Sequence, residues 1–354
     1  MIDKVKAFYK IFGPGILMAT AAIGGSHLVS STQAGALFGW SLAIFILLIN
    51  FFKYPFFLAN VQYTMATKKS LIEGYASLGN SWLWLFTVLA VIAAVVNTAA
   101  VSMFAASLLG YFIPIKLTIN ILSFIIIFAC ILILIAGKYN LLNNVSKIIM
   151  ITLSIATVVA VVMAVTKDVN SALADDFISP SAWTIASLGF IVILTGWMPA
   201  PIEISSIGSI WLKNQIKQTN INAKNALLDF NVGFIVTAIL ALFFLALGAL
   251  VLHGSAYEFK DGIAFSHQLV TMYSTVIGDW SRLLIAFIAF ACMFGTSITV
   301  IDGYGRAVAE AFSLIRKNRS ASNRSVAVWT IFISIIGFLI IIYFASSMRT
   351  MLDF

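Results

Sequence analysis

Thr195-Gly196-Trp197-Met198-Pro199-Ala200-Pro201 lies at the middle of one apolar stretch, 182–212, and Ile23-Gly24-Gly25-Ser26-His27 at the middle of another, 13–38. Each stretch is long enough to cross a hydrocarbon core ~30 Å thick as a helix. Each is interrupted where a spanning helix should be most regular. Prolines remove backbone donors, and a glycine pair weakens a helix through backbone entropy. Irregular backbone at membrane depth is tolerated only where it is buried in protein or lines a cavity. Two interrupted helices therefore predict a helical membrane protein with a site between them.

The rest of the chain fits that frame. Hydrophobic residues make up 61% of the 354 positions and charged residues 10%, whereas soluble domains carry about 25% charged residues. Spanning stretches are expected near 13–38, 40–66, 81–110, 117–137, 145–166, 182–212, 226–252, 281–303 and 325–346. Their apolar runs do not alternate as barrel strands would. One interrupted helix opens a set of five spans, 13–166, and the other opens a second set, 182–346. Five is odd, so the two cross the membrane in opposite senses, the sequence signature of an inverted repeat. The second set has four members, and a tenth helix is expected beyond the tail Ser346–Phe354. That expectation makes the chain a truncated form of a longer protein, or one whose gap lipid or a partner fills. A short interfacial helix is expected over 261–277, and a cytoplasmic continuation of the eighth span over 305–317.

The net charge of +8 marks topology rather than a nucleic-acid footprint. Fifteen of the 21 Lys and Arg fall on the side that holds the N-terminus and five on the other, with Lys53 inside a span. The positive-inside rule puts the N-terminus in the cytoplasm, and the expected location is a bacterial cytoplasmic membrane. Cys130 and Cys292 lie within apolar stretches as buried small hydrophobes. The first apolar segment has no small-residue cleavage site and reads as a full span. No His-x-x-x-His, Cys-x-x-Cys, Walker or Gly-x-Ser-x-Gly motif occurs, so no enzyme and no tightly bound cofactor is expected.

Gly13-Pro14-Gly15, the run Gln33-Ala34-Gly35-Ala36 with Phe38-Gly39, the pair Met198-Pro199, and Gly305 with Glu310 and Phe312 resemble the Nramp divalent-metal transporters. The resemblance runs from residue 13 to about 346. It implies a LeuT-type fold and proton-coupled import of a divalent transition metal of the Mn or Fe kind by alternating access. The chain also departs from the family. Gly24 stands where the family carries its metal-binding Asp, His27 where it carries Asn, and Ala200 where Met-Pro-His has its His. Met198 is kept. The third span has Asn97 but no carboxylate, and the ninth has no arginine.

A cation site in lipid needs oxygen, nitrogen or sulfur ligands in place of water. Backbone carbonyls near Ala22 and Ile23, the His27 imidazole and the Met198 thioether are candidates, and the last two favour transition metals over Mg and Ca. Glu203, two residues after Pro201, can restore the carboxylate lost at Gly24. The expected metal ligands are thus His27, Met198 and Glu203. Each has a structural alternative: Glu203 as complement to a helix N-terminus, His27 as a cap or cross-bundle hydrogen bond, Met198 as packing. Lys53 pairs with Asp302 or Glu203 on this reading, as a structural ion pair or as a coupling or gating group. Asp302 and Arg306 stand one helical turn apart and suit a pair of their own. Two other functions stay open: the same fold moving a small organic solute, an anion or a monovalent ion, and a transport-dead sensor or structural subunit. The partners expected are the transported ion or solute and the lipid bilayer.

Overall fold

The computed structural model describes residues 13–136, 139–166, 179–218, 221–254, 263–317 and 320–344. Over them every regular element is helical. The first interrupted stretch comprises α1 (Pro14–Ala22), a π-helical segment (Ile23–Ser31) and α2 (Thr32–Phe38). Then follow α3 (Ala43–Thr67), α4 (Leu71–Leu78), α5 (Asn80–Leu109), α6 (Ile119–Ile135) and α7 (Tyr139–Thr166). The second interrupted stretch is α8 (Leu188–Trp197) and α9 (Glu203–Gln218), followed by α10 (Ala223–Val251), α11 (Ile263–Ile277), α12 (Arg282–Ile315) and α13 (Asn323–Phe344).

Five described helices are long and apolar enough to cross a membrane unaided: Ala43–Thr67, Asn80–Leu109, Ala223–Val251, Asp279–Ile315 and Asn323–Tyr343. The two interrupted stretches divide into shorter helices and do not qualify one by one. The tail on which the tenth-helix expectation turns, 345–354, lies outside the described residues. So do residues 167–178 and 255–262 and the lysines before residue 13.

Of these five, the most buried is α12, which packs along α5 and also meets α13, α7 and α1. On the other side α10 lies against α1, the π segment and α2. The first stretch is thereby clamped between α10 and α12, and its residues Ile23–Ser31 are all buried. Leu47, Phe51, Phe52 and Phe56 on α3 and Leu85, Leu89 and Ile92 on α5 are exposed, an apolar outer face of the kind lipid covers.

Two peripheral expectations are sharpened. The continuation of the eighth span is real, since α12 runs unbroken to Ile315. The helix expected at the interface is more deeply seated than an amphipathic surface helix: Leu269, Val270, Met272, Tyr273 and Val276 of α11 are buried, and it packs on α12, α7 and α5. Cys130 and Cys292 are buried and unbridged.

Candidate functional site

The two interruptions fall where the glycines and prolines put them, but they differ in kind. In the first, the chain keeps helical dihedrals on both flanks of the π segment. Its glycines are demanded by close neighbours. A Cβ at Gly24 would stand 2.5 Å from Thr296 Oγ1, and one at Gly25 2.7 Å from the Trp197 ring. Thr296 fastens the same turn by donating to the Thr20 carbonyl at 2.9 Å. At the start of α1, with Pro14 in its first turn, the Asp229 carboxylate of α10 accepts from Gly13 N at 3.2 Å and Gly15 N at 2.7 Å. A carboxylate there satisfies orphan donors and complements the helix dipole.

The second interruption opens the backbone. α8 closes with Met198 N donating to the Leu194 carbonyl at 3.0 Å. Met198 then turns extended, as a residue before proline is driven to do, with a cis bond to Pro199. Pro199 and Pro201 have no N–H to offer the carbonyls of Thr195 and Trp197. The chain re-enters a helix at Glu203, which occupies the first turn of α9.

Beside this opening lies a groove of about 860 Å³ between α8 and α5, open toward the apolar outer face. Lys53, Asn97, Gly196, Trp197 and Glu203 line it, and Leu89, Ile92 and Val192 supply apolar wall. Three helices meet in one hydrogen-bonded chain. Asn97 Nδ2 donates to the Tyr304 hydroxyl at 3.1 Å, and that hydroxyl donates to Glu203 Oε1 at 2.7 Å. Tyr304 is fully buried, so its one hydroxyl proton is committed to the carboxylate, a charge-assisted bond stronger than a neutral one. Lys53 Nζ donates to the Gly196 carbonyl at 2.8 Å and lies 3.4 Å from the Ala200 carbonyl. Among the described residues it makes no direct bond to Glu203.

The residues expected as ligands stand as follows. His27 is wholly buried with both ring nitrogens engaged. Nε2 stands 2.7 Å from the Thr237 carbonyl, which can only accept, so Nε2 carries a proton; Nδ1 faces the Ser26 hydroxyl at 2.6 Å. That hydroxyl also meets the carbonyls of Ala22 and Pro199, so the Ala22 oxygen is already engaged. The Ile23 segment stays helical and offers no opened turn. Met198 is buried in an apolar cluster with Ala34, Leu194, Ala241 and Leu245. Among the described residues no three of His, Cys, Asp and Glu gather as a metal cluster. Glu203 lines the groove, the ring nitrogens of His27 have protein partners, and Met198 is packed in its apolar cluster. Gly24 packs on Thr296, and Ala200 contributes its carbonyl rather than a side chain.

The Lys53–Asp302 pairing is corrected. Asp302 takes the Arg306 Nε at 2.8–2.9 Å and the Trp211 indole at 3.4 Å, which is the one-turn pair that the spacing foretold. Tyr304 and Asp229 escaped the sequence reading. Nothing local distinguishes Tyr304 from other tyrosines, since its partners lie 101 and 207 positions away. Asp229 was legible as a carboxylate inside an apolar stretch, a functional or structural flag by itself.

The far end of α9 is anchored at the rim. Lys213 reaches Glu73 at 2.7 Å and Glu310 at 3.5 Å, and Glu73 closes a capping box with Ser70 at the start of α4. Burial works to raise the Glu73 carboxyl, but bonds from Lys213 and Ser70 outweigh it and hold the group below its ordinary value.

The sequence model of the natural resistance-associated macrophage protein-like family, Nramp, matches residues 15–354. A protein of Pasteurella multocida (strain Pm70) described as uncharacterized is 48% identical over 348 residues, covering 98% of this chain and 80% of its own length. Among solved structures, a manganese transporter of Eremococcus coleocola superposes with a TM-score of 0.67 at 15% identity, over 98% of this chain and 74% of that one. A nucleobase-cation-symport-1 family transporter in a closed conformation gives 0.66 at 12% identity, over 96% and 74%. A Na+-coupled sialic acid symporter gives 0.64 at 17% identity, over 94% and 74%. The fold is the LeuT-type arrangement that the resemblance implied.

Proposed function

We propose, from the premise that the chain belongs to the natural resistance-associated macrophage protein-like family, that it is a secondary-active transporter importing a divalent transition-metal ion by alternating access. It acts as an integral membrane protein and not as an enzyme. The observation that carries this reading is the opened backbone between Trp197 and Glu203, with the Glu203 carboxylate lining a groove and backed by Tyr304. A carboxylate, the carbonyls of Gly196 and Ala200 and the Asn97 amide are all oxygen donors. Oxygen donors suit Mn2+ better than the softer metals that thioether and imidazole would favour. The fold neighbour from Eremococcus coleocola is a manganese transporter, which agrees with that choice.

Reconstituted into liposomes and offered Mn2+, Fe2+, Cd2+ and Mg2+, the protein should take up Mn2+ most readily. Glu203→Gln should reduce uptake to the level of empty liposomes. Equal uptake by that variant would remove the carboxylate from the site. Protons are the coupling ion of the proposal, and a pH-sensitive dye trapped inside should report acidification only while Mn2+ enters. The distribution of Lys and Arg supports a cytoplasmic N-terminus. Lys69→Cys and Lys260→Cys test that: an impermeant thiol reagent applied to intact cells should label only position 260.

One observation favours a second reading. A groove with apolar walls and both a Lys and a Glu among its lining residues offers the mixed chemistry that a small organic solute uses. Uptake experiments that find no metal flux, with the protein folded, would turn the assignment to that class.

A further inference from the structure

Breaking a helix creates a cation site before any cation arrives. The last carbonyls of α8 have lost their helical partners: Pro199 and Pro201 cannot donate to Thr195 and Trp197, and because the chain turns extended at Met198 the N–H of Ala200 does not return to Gly196. They form the negative end of a helix dipole at membrane depth. The Glu203 carboxyl lines the same groove as Gly196. Unfilled, such a place in a low-dielectric setting is costly.

In this molecule it is filled by the protein itself. Lys53 stands in the interior of α3 (Ala43–Thr67), away from either end, and its ammonium reaches across to the Gly196 carbonyl at 2.8 Å and toward that of Ala200 at 3.4 Å. It does not go to Asp302, whose carboxylate is taken by Arg306 and Trp211. We infer that Lys53 is a tethered cation that occupies the opened turn of the α8–α9 helix and must be displaced by the cation that is transported. The inference rests on the reading of that turn and Glu203 as the cation site.

The physics is competition between like charges. An ammonium and a divalent ion cannot share one pair of carbonyls in a poorly screened environment without strong repulsion. The Lys53 side chain has four flexible methylenes and lines the groove of about 860 Å³, so it has somewhere to swing. Its positive charge keeps the opened turn satisfied when no substrate is present and lowers affinity when substrate enters. A site held this way releases its ion readily once the ammonium returns.

Isothermal titration of Mn2+ into the full chain in lipid nanodiscs tests the inference. Lys53→Gln keeps an N–H donor for the carbonyls and removes the charge; Lys53→Met removes both. Both should bind Mn2+ more than about tenfold tighter than the unaltered protein, with Lys53→Arg binding like the unaltered protein because it keeps the charge. Glu203→Gln should bind weakly in every background. Unchanged affinity in Lys53→Gln, or tighter binding in Lys53→Arg as well, would overturn the tethered-cation role and leave the site reading standing. Loss of binding in Lys53→Gln and Lys53→Met while Lys53→Arg binds would overturn it in favour of a positive charge needed to hold substrate. Absence of Mn2+ binding from all of them, or persistence of it in Glu203→Gln, would overturn the site reading and this inference together.

Discussion

At Ile23–Ser31 the chain widens its turn and keeps its hydrogen bonds inside the helix, whereas between Trp197 and Glu203 it leaves the helix and presents its backbone to a groove. The residue chemistry accounts for the difference. Gly24 and Gly25 retain their N–H groups, so a glycine pair lets a helix distort without surrendering donors. Pro199 and Pro201 have none, and the residue before each is pushed toward extended backbone. The surroundings reinforce it. The first stretch is clamped between α10 and α12, while the second borders open space on one side. The glycine interruption here is a packed one, and the proline interruption opens the backbone.

The sharpest way to break that comparison is to attack the first interruption where it was expected to bind metal. His27→Ala leaves the Thr237 carbonyl and the Ser26 hydroxyl short of partners and opens a hole beside Phe244. A loss of about 3–5 kcal/mol is expected, read as a large drop in the thermal midpoint in detergent. Mn2+ affinity in whatever protein still folds should not change. A stable variant that no longer binds Mn2+ would return His27 to the site. Gly24→Ala should act more mildly but in the same sense. Its new methyl would meet Thr296, which is itself bonded to Thr20, and overpacking of this kind costs about 1–3 kcal/mol.

How far the sequence told this story depends on which residue is asked about. Both interruptions were legible in position because glycine and proline act locally. Their form was not, because a glycine pair permits a bend, a π turn or an opening, and the choice was made by Thr296 and Trp197 from distant parts of the chain. Glu203 was legible because a carboxylate at membrane depth is conspicuous. That His27 bonds across the bundle was not legible, because its partner is a backbone carbonyl 210 positions away, which no residue type announces. Lys53 was legible as an anomaly; that its partners are carbonyls of the opened turn rather than an acid was not.

The halves of the opened helix also differ in how they are held, and pH reads the anchor of α9. The folded-state value of Glu73 lies below the ordinary one of 4.5 because of Lys213 and Ser70, against the pull of burial. Its contribution to stability is therefore fully present above that ordinary value and is lost as pH falls through the lower folded value. Thermal midpoints measured downward from pH 6 should fall on the acid side of 4.5. Lys213→Met should lower the midpoint at pH 6, by about 1 kcal/mol in stability, and shrink the acid-side fall. An unchanged acid limb in that variant would mean that the contact with Lys213 does not hold Glu73 down.

The smallest effect expected is also the one that separates the two interruptions most cleanly. Gly24 and Gly196 are both glycines at interrupted helices, and a reading by residue type would treat them alike. A Cβ at Gly24 would be driven into Thr296, but one at Gly196 meets nothing within 4 Å. Gly196 lies within α8 (Leu188–Trp197), where alanine is favoured over glycine by roughly 0.5–1 kcal/mol. Gly196→Ala should therefore leave the thermal midpoint unchanged or raise it slightly, while Gly24→Ala lowers it. The carbonyl of residue 196 survives the substitution, so the contact with Lys53 and the affinity for Mn2+ should survive too. A marked loss of stability in Gly196→Ala would show that the space beside the opened turn is filled by something pressed against it, and the contrast between a packed interruption and an open one would fail.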